Sequence, residues 1–165
     1  MATTPRPAQI EIRISEEPAD SPDGHALLDA QEAELTERYG ELSGAALRLD
    51  RDLTVFLVAR DAATGQAVGC GALREHTPEI VEIKRMYVTP EARRRSLGRE
   101  ILRALEREAA LRHYVTVRLH TASGQHESIG LYESAGYRSV PCWGDYAEDE
   151  RSCCYERDIT PAPAD

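Results

Sequence analysis

The sequence predicts a single domain of the α/β (α+β) class, a mixed and mostly antiparallel sheet flanked by helices, on three observations. Apolar residues alternate in some short stretches and recur every three to four residues in others, in the order strand, helix, three strands, helix, strand, helix, strand. The three consecutive strands are joined by short turns, which makes them antiparallel. The fourth and fifth strands are separated by a helix, which makes a parallel crossover. At 165 residues the chain is long enough for one core and short for two.

Each element has its own signal. Ile10, Ile12 and Ile14 alternate with polar residues as a first strand. From His25 to Gly40 the apolar positions Leu28, Leu35 and Tyr39, continued by Leu42, fall at helical spacing, with Gly40 as the stop. A further stretch, Ala45–Leu49, follows. "LTVFLVAR" (Leu53–Arg60) and "AVGCGALRE" (Ala67–Glu75) are strands around "DAATGQ", a turn in which Gly65 takes the awkward dihedral. "EIVEIKRMYV" (Glu79–Val88) is the fourth strand, ended by Pro90. Gly98–Arg112 is helical, with Ile101, Leu102, Leu105 and Ala109 on one stripe. "VTVRLHT" is the fifth strand. Ser123 is the expected N-cap of a helix from Gly124 to Ala135, with Gly136 at its end. A strand from Ser152 to Ile159 closes the domain.

The domain is expected over residues 9–159, between disordered tails at 1–8 and 160–165 that are rich in Pro, Ala and Thr. No apolar run approaches the ~20 residues of a membrane helix, and the N-terminus lacks a signal pattern. A cytoplasmic protein with no membrane partner is therefore expected. The formal net charge of -9 argues against nucleic acid as a partner. Cys70, Cys142, Cys153 and Cys154 fit no metal-ligand spacing, so no metal is expected and the four read as reduced thiols.

Against that acidic balance, Arg93, Arg94, Arg95 and Arg99 cluster where a strand passes through a turn into a helix. The first turn of a helix offers unpaired N–H groups and a positive dipole end. Small residues such as Ser96 and Gly98 let an anion approach that backbone, and arginines add charge-assisted bonds, so the turn suits a phosphate or diphosphate. It is neither a Walker A loop nor a three-glycine dinucleotide fingerprint.

"RRRSLG" (Arg93–Gly98) resembles the Arg/Gln-x-x-Gly-x-Gly/Ala signature of the GNAT superfamily of acyl-CoA-dependent N-acyltransferases. "QHESIGLYESAGY" (Gln125–Tyr137) is similar to that family's Asn-x-x-Ala-x-x-Leu-Tyr-x-x-x-Gly-Phe/Tyr element, at the right separation. "WGDY" and "CCYERD" look like a subgroup of small bacterial members. Ser96, Gln125 and Ser128 depart from the pattern without removing a required group. The resemblance implies a sheet splayed between the fourth and fifth strands, with acetyl-CoA as co-substrate and no metal. It implies that the pantetheine arm pairs with backbone at Met86, Tyr87 and Val88. The diphosphate would rest on Arg93, Arg94, Arg95, Ser96, Leu97, Gly98 and Arg99, with Gln125 and Tyr132 completing the cofactor site.

Acetylation of an amine poses two proton problems. A protonated amine (pKa ~10.4) must lose a proton to attack, and the leaving thiolate is helped by a donor. The resemblance makes Tyr132 the acid, against the plain reading that Ile129, Tyr132 and Ala135 form a helical stripe. It makes Glu82 the base, directly or through a water, against an ordinary sheet-face ion pair. Glu82 lies four residues before Met86, which by alternation puts both on one face. His120 is a weaker candidate. Between them a strand amide near Met86 would face the oxyanion.

The acceptor is expected to be an amine of a small molecule or peptide. Acids crowd the first helical region (Asp29, Glu32, Glu34, Glu37, Glu41, Asp50) and "DYAEDE", which would favour a cationic acceptor, with Trp143 and Tyr146 as its aromatic wall. The plain reading is an acidic solvated surface. The same sequence is compatible with a non-catalytic acyl-CoA sensor, or with a nucleotide-binding domain using the Arg/Gly turn. Monomer and homodimer are both open.

Overall fold

The computed structural model describes residues 10–40 and 52–164. The Ala45–Leu49 stretch, Glu41, Leu42, Asp50 and the tail at 1–8 lie outside them. The strands are β1 (Ile12–Glu16), β2 (Val55–Asp61), β3 (Ala67–Glu75), β4 (Ile80–Val88), β5 (Thr116–Ala122), β6 (Arg138–Val140) and β7 (Ser152–Asp158). They form one sheet in the order β1-β2-β3-β4-β5-β7-β6. Only β4 and β5 run parallel; every other neighbouring pair is antiparallel. Helix α1 (Pro22–Tyr39) covers one face, and α2 (Leu97–Leu111) and α3 (His126–Ser134) lie on the other. This is the class and the topology that the sequence predicts.

Helix α1 begins three residues earlier than its apolar pattern. The Gly24 N–H donates to Ser21 Oγ at 3.0 Å, and Pro22 occupies a first-turn position where a missing N–H costs nothing. It stops at Gly40, whose φ of 78° turns its N–H back to the Thr36 carbonyl. β2 is buried from Val55 through Ala59, as a strand covered on both faces must be.

The core has two layers. Leu27 and Leu28 of α1 pack on Phe56, Val58, Cys70, Ala72 and Tyr87. Ile101, Leu102 and Leu105 of α2 pack on Leu57, Leu73, Ile83 and Leu119 from the opposite side. α2 comes close to β3 because Gly71 has no side chain. A Cβ there would lie 2.8 Å from Leu105 Cδ1 and 2.9 Å from Ile101 Cγ2.

Three expectations change. α3 begins at His126 rather than Gly124, and Ser123 does not cap it: Ser123 and Gly124 form a turn, closed by the Gln125 N–H on the Ala122 carbonyl at 2.9 Å, that places Gln125 at the N-cap. β6 carries no readable period, since three residues cannot establish one. The cysteines are not all reduced: Cys142 and Cys154 form a disulfide, while Cys70 and Cys153 are free. β6 pairs Val140 with Cys154, so the chain leaving β6 brings Cys142 back across β7 with a Cα–Cα distance of 5.2 Å. After β7, the Ala162 N–H donates to the Ala110 carbonyl of α2. No described helix is long and apolar enough to cross a membrane.

Candidate active site

β4 pairs with β5 only from Ile80↔Thr116 to Ile83↔Leu119. Beyond that point β4 continues along β3 and β5 continues along β7, and the two diverge. The cause is a bulge. Cys70 pairs with Tyr87 but Ala72 pairs with Lys84, and within the extra turn of β4 Arg85 has φ 57°. A left-handed arginine costs roughly 1–2 kcal/mol. α1 holds it in place. Glu32 accepts from Arg85 Nη2 at 3.0 Å, Gln31 Nε2 donates to the Met86 carbonyl at 3.0 Å, and Cys70 Sγ donates to the Arg85 carbonyl at 3.3 Å.

The bulge corrects one expectation. Simple alternation puts Glu82 and Met86 on one face, but the extra residue reverses the parity. Lys84 pairs with Ala72 and Tyr87 with Cys70, both in the α1 layer, so Glu82 and Lys84 face α1. Met86 faces α2 and α3, where its Sδ receives the Tyr132 hydroxyl at 3.6 Å.

After β4, a short 3-10 turn (Pro90–Ala92) leads into the turn before α2. Arg94 and Ser96 both have positive φ, 65° and 61°, a backbone shape that gathers successive N–H groups into a concavity. Among the described residues, no acceptor meets the N–H groups of Arg94 through Arg99. Gly98 is not demanded by the protein's own packing, because a Cβ there would touch only Leu131 Cδ2 at an ordinary 3.6 Å. The arginines divide. Arg94 and Arg95 are exposed and available. Arg93 is committed to the fold: Nε donates to the Val88 carbonyl at 3.0 Å, Nη2 to Glu34 at 2.6 Å, and the guanidinium lies over the Tyr87 ring. Arg99 donates to Ser134 Oγ at 2.6 Å, tying α2 to α3. Leu97 is buried as the first apolar residue of α2.

On the α3 side Tyr132 is 7% exposed and edge-on to Tyr137, and among the described residues its hydroxyl has one hydrogen-bond partner, the Met86 sulfur. Burial pushes its pKa up to about 12, so it is protonated at neutral pH. Gln125, at the mouth of the split, accepts from Thr121 Oγ1 at 3.2 Å.

On the α1 side Glu82 pairs in register with Arg118, one residue before the split. Its carboxyl is buried, which raises its pKa, while Lys84, Arg74, Arg118 and His76 pull it back. Lys84 Nζ is 3.7 Å from Glu82 Oε1 and donates to Tyr146 Oη at 3.3 Å. Tyr146 stacks on His120 at 3.7 Å with an interplanar angle of 6°. The Arg118 guanidinium lies 3.5 Å from the centre of the Trp143 ring. The structure thus brings Glu82, His120, Trp143 and Tyr146 together, with Tyr132 and the Arg94–Arg99 turn across the sheet. His120 is a poor base, because burial and the nearby Lys84 charge lower its pKa to about 4. Lys84 and Arg118 went unremarked in the sequence. The available signal was a charged residue at an inward position of an apolar strand, "VTVRLHT".

Two acids of α1 are spent elsewhere, Glu32 on Arg85 and Glu34 on Arg93. In the second acidic run Asp149 meets Arg151. No cluster of His, Cys, Asp or Glu among the described residues is arranged to hold a metal ion.

Residues 18–137 match the family model described as acetyltransferase (GNAT) family. An IAA acetyltransferase of Azospirillum brasilense is 36% identical over 105 residues, 63% of this chain and 67% of that protein. A crystal structure from Klebsiella pneumoniae, assigned as an acyl-CoA N-acyltransferase, superposes with a TM-score of 0.75 at 30% identity, covering 89% of this chain and 97% of that one. A GNAT family acetyltransferase of Elizabethkingia anophelis, solved with acetyl-CoA bound, shares the fold with a TM-score of 0.67 at 19% identity, over 90% and 98% of the two chains. The split sheet, the amide-lined turn before α2 and the family match agree: this chain belongs to the GNAT family of acetyltransferases.

Proposed function

We propose that the protein is an N-acetyltransferase that moves the acetyl group of acetyl-CoA to a primary amine of a small molecule or peptide by direct attack, with both substrates bound together. One observation carries this reading. The β4–β5 split ends in a turn of unpaired amides and is flanked by a buried carboxylate on one side and a buried phenol on the other. The same fold in Elizabethkingia anophelis holds acetyl-CoA, which supports the assignment of the co-substrate.

The amides from Arg94 to Arg99, with the Arg94 and Arg95 side chains, hold the diphosphate. The β4 backbone from Met86 to Val88 lines the split for the pantetheine arm. Thr89 donates its N–H to Val68 on the β3 side, so alternation turns the Val88 N–H the opposite way, into the split. Gln125 and Tyr132 close its far wall.

The acceptor approaches from the α1 side, between Trp143 and Tyr146. Glu82, directly or through a water, takes a proton from the amine, and its raised pKa suits a base working near neutral pH. The amine nitrogen then bonds to the acetyl carbonyl carbon as the carbon–sulfur bond breaks. A β4 amide near Met86 faces the developing negative charge on oxygen. Tyr132 gives its proton to the departing sulfur. Base and acid are on opposite faces of the sheet, so the incoming amine and outgoing thiol do not compete for space.

Two measurements test the reading. Acetyl-CoA at ~100 times its dissociation constant should stabilise the fold by ~2.7 kcal/mol in a thermal melt, with EDTA without effect. A panel of amines followed by free CoA release should then identify turnover. A melt unchanged by saturating acetyl-CoA overturns the assignment. A shifted melt with no CoA release from any amine favours a non-catalytic acyl-CoA sensor.

A further inference from the structure

We propose that the acceptor amine also carries a carboxylate, received on the α1 side of the split by Arg118 and Lys84. The inference rests on the N-acetyltransferase reading and adds the chemical class of the acceptor.

Arg118 is 8% exposed, yet its Nε is buried without a hydrogen-bond partner. Its Nη2 is 3.8 Å from Glu156, beyond hydrogen-bond distance, and Glu156 is shared with Arg138 at 3.7 Å. No other acceptor meets its N–H groups among the described residues. A guanidinium taken out of water normally spends its fork of donors on a planar anion. Here Trp143 covers its face at 3.5 Å and leaves the edge short of acceptors.

Lys84 is in the same condition. Among the described residues its ammonium has one hydrogen bond, to Tyr146 Oη, and a loose approach to Glu82. Both cations belong to the face on which the amine must arrive, at the level where β4 and β5 separate. Glu82, 3.7 Å from Lys84 and in register with Arg118, is the group assigned to take a proton. A second carboxylate supplied by the acceptor would complete both cations' hydrogen bonds and leave Glu82 to the amine. Two of the α1 acids that suggested a purely cationic acceptor, Glu32 and Glu34, are in ion pairs with Arg85 and Arg93 instead.

Trp143 is the only tryptophan of the chain, and its contact with Arg118 makes its fluorescence a direct reporter of this edge. We would titrate the protein, saturated with CoA, with L-phenylalanine, β-alanine and 4-aminobutyrate, and with the matching amide of each. CoA release from acetyl-CoA would be followed with the same compounds. The expected result is a saturable Trp143 response to at least one carboxylate at millimolar concentration, at least ten-fold weaker for its amide, with the same ranking in kcat/KM. Arg118→Met should keep the packing under Trp143 and abolish the preference for carboxylates. Lys84→Gln should reduce it. The proposal is overturned if no carboxylate gives a saturable response, or if amides bind and react as well as their acids. Because the thermal shift with acetyl-CoA needs no acceptor, either failure can occur while the acetyl-CoA reading stands.

Discussion

Glu82 and Tyr132 reach the β4–β5 split from opposite faces of the sheet, and the bulge at Arg85 makes the two faces meet at one edge. The bulge lies just past Ile83↔Leu119, the last residue pair of β4 with β5. With it, Met86 turns towards Tyr132 while Glu82 stays with Lys84 on the α1 side. The two groups therefore have separable roles, and substitutions should separate them.

Tyr132→Phe removes one hydroxyl whose only hydrogen-bond partner among the described residues is a thioether sulfur, a weak acceptor. The ring keeps its edge contact with Tyr137. Stability and acetyl-CoA affinity should change little, and turnover should fall by the ~10²–10⁴-fold typical of a lost general acid. Thermal melts and steady-state kinetics check both. Unchanged turnover would make Tyr132 a core residue of α3 and nothing more.

Glu82→Gln should lower turnover most at neutral pH. Burial raises the Glu82 pKa, so activity in the parent should fall as pH drops through that raised value, where the carboxyl takes up a proton. The variant has no such group. Its turnover should recover in part towards pH 9.5, as more of the amine loses its proton unaided. A parent-shaped profile scaled down uniformly would show that Glu82 is structural.

The architecture was legible because it rests on long periodic signals. α2 shows a clean apolar stripe, and β2 a continuous apolar run that only a strand buried on both faces tolerates. The turn before α2 stood out for a different reason, since Arg93–Gly98 concentrates unusual chemistry in a short span. Glu82 and Met86 were misplaced because a bulge leaves no mark in alternation. Arg85 is no glycine, and its left-handed φ is imposed by Gln31 and Glu32 over fifty residues away in the chain. Lys84 and Arg118 were missed because their meaning lies in which donors lack partners, and that is a property of packing. The Cys142–Cys154 bond depends on the β6–β7 register, which three residues of β6 do not announce.

Ser96→Gly tests the turn. Ser96 holds φ 61° and ψ 18°, a conformation that costs a side-chain-bearing residue roughly 1–2 kcal/mol and glycine almost nothing. Loss of entropy in the unfolded chain offsets part of that gain. The variant should be stable to within about 1 kcal/mol of the parent, by urea unfolding, and should bind acetyl-CoA at least as well. Gly98→Asp has room inside the protein, so the fold should survive, but it sets an anion where we propose that the diphosphate docks. Calorimetry should show affinity falling by at least ten-fold. Equal affinities for the two variants would move the diphosphate elsewhere.

His120 gives the fold a predictable acid sensitivity. Its pKa is about 4 in the folded protein, against 6.5 in its ordinary state. The unfolded chain therefore binds a proton before the folded one does. The stability from keeping His120 neutral is complete above pH 6.5 and is lost as pH falls from there towards 4, at up to about 1.4 kcal/mol per unit. His120→Gln should lose stability more shallowly over that window, while keeping polar reach towards Ser152. Urea midpoints of parent and variant between pH 7 and 4.5 measure the difference. Parallel curves would mean that His120 is not held neutral by burial.

The disulfide sets the last expectation. Cys142 precedes Trp143 directly, and Cys154 pairs in register with His120, the ring on which Tyr146 stacks. The bond thus ties the segment carrying both aromatic residues to the strand behind the site. It closes a loop with a sequence separation of 12, for which the chain-entropy model gives about 3 kcal/mol. Reduction, or Cys142→Ser, should lower stability by up to that amount. Because Trp143 and Tyr146 cover Arg118 and Lys84, loosening them should raise the KM for the acceptor more than it changes affinity for acetyl-CoA, whose turn lies across the sheet. Thiol titration under denaturing conditions, before and after reductant, confirms the state of the bond, and kinetics on each form follow. An acceptor KM unchanged by reduction would detach the disulfide from the site and leave it a brace of the β6–β7 hairpin.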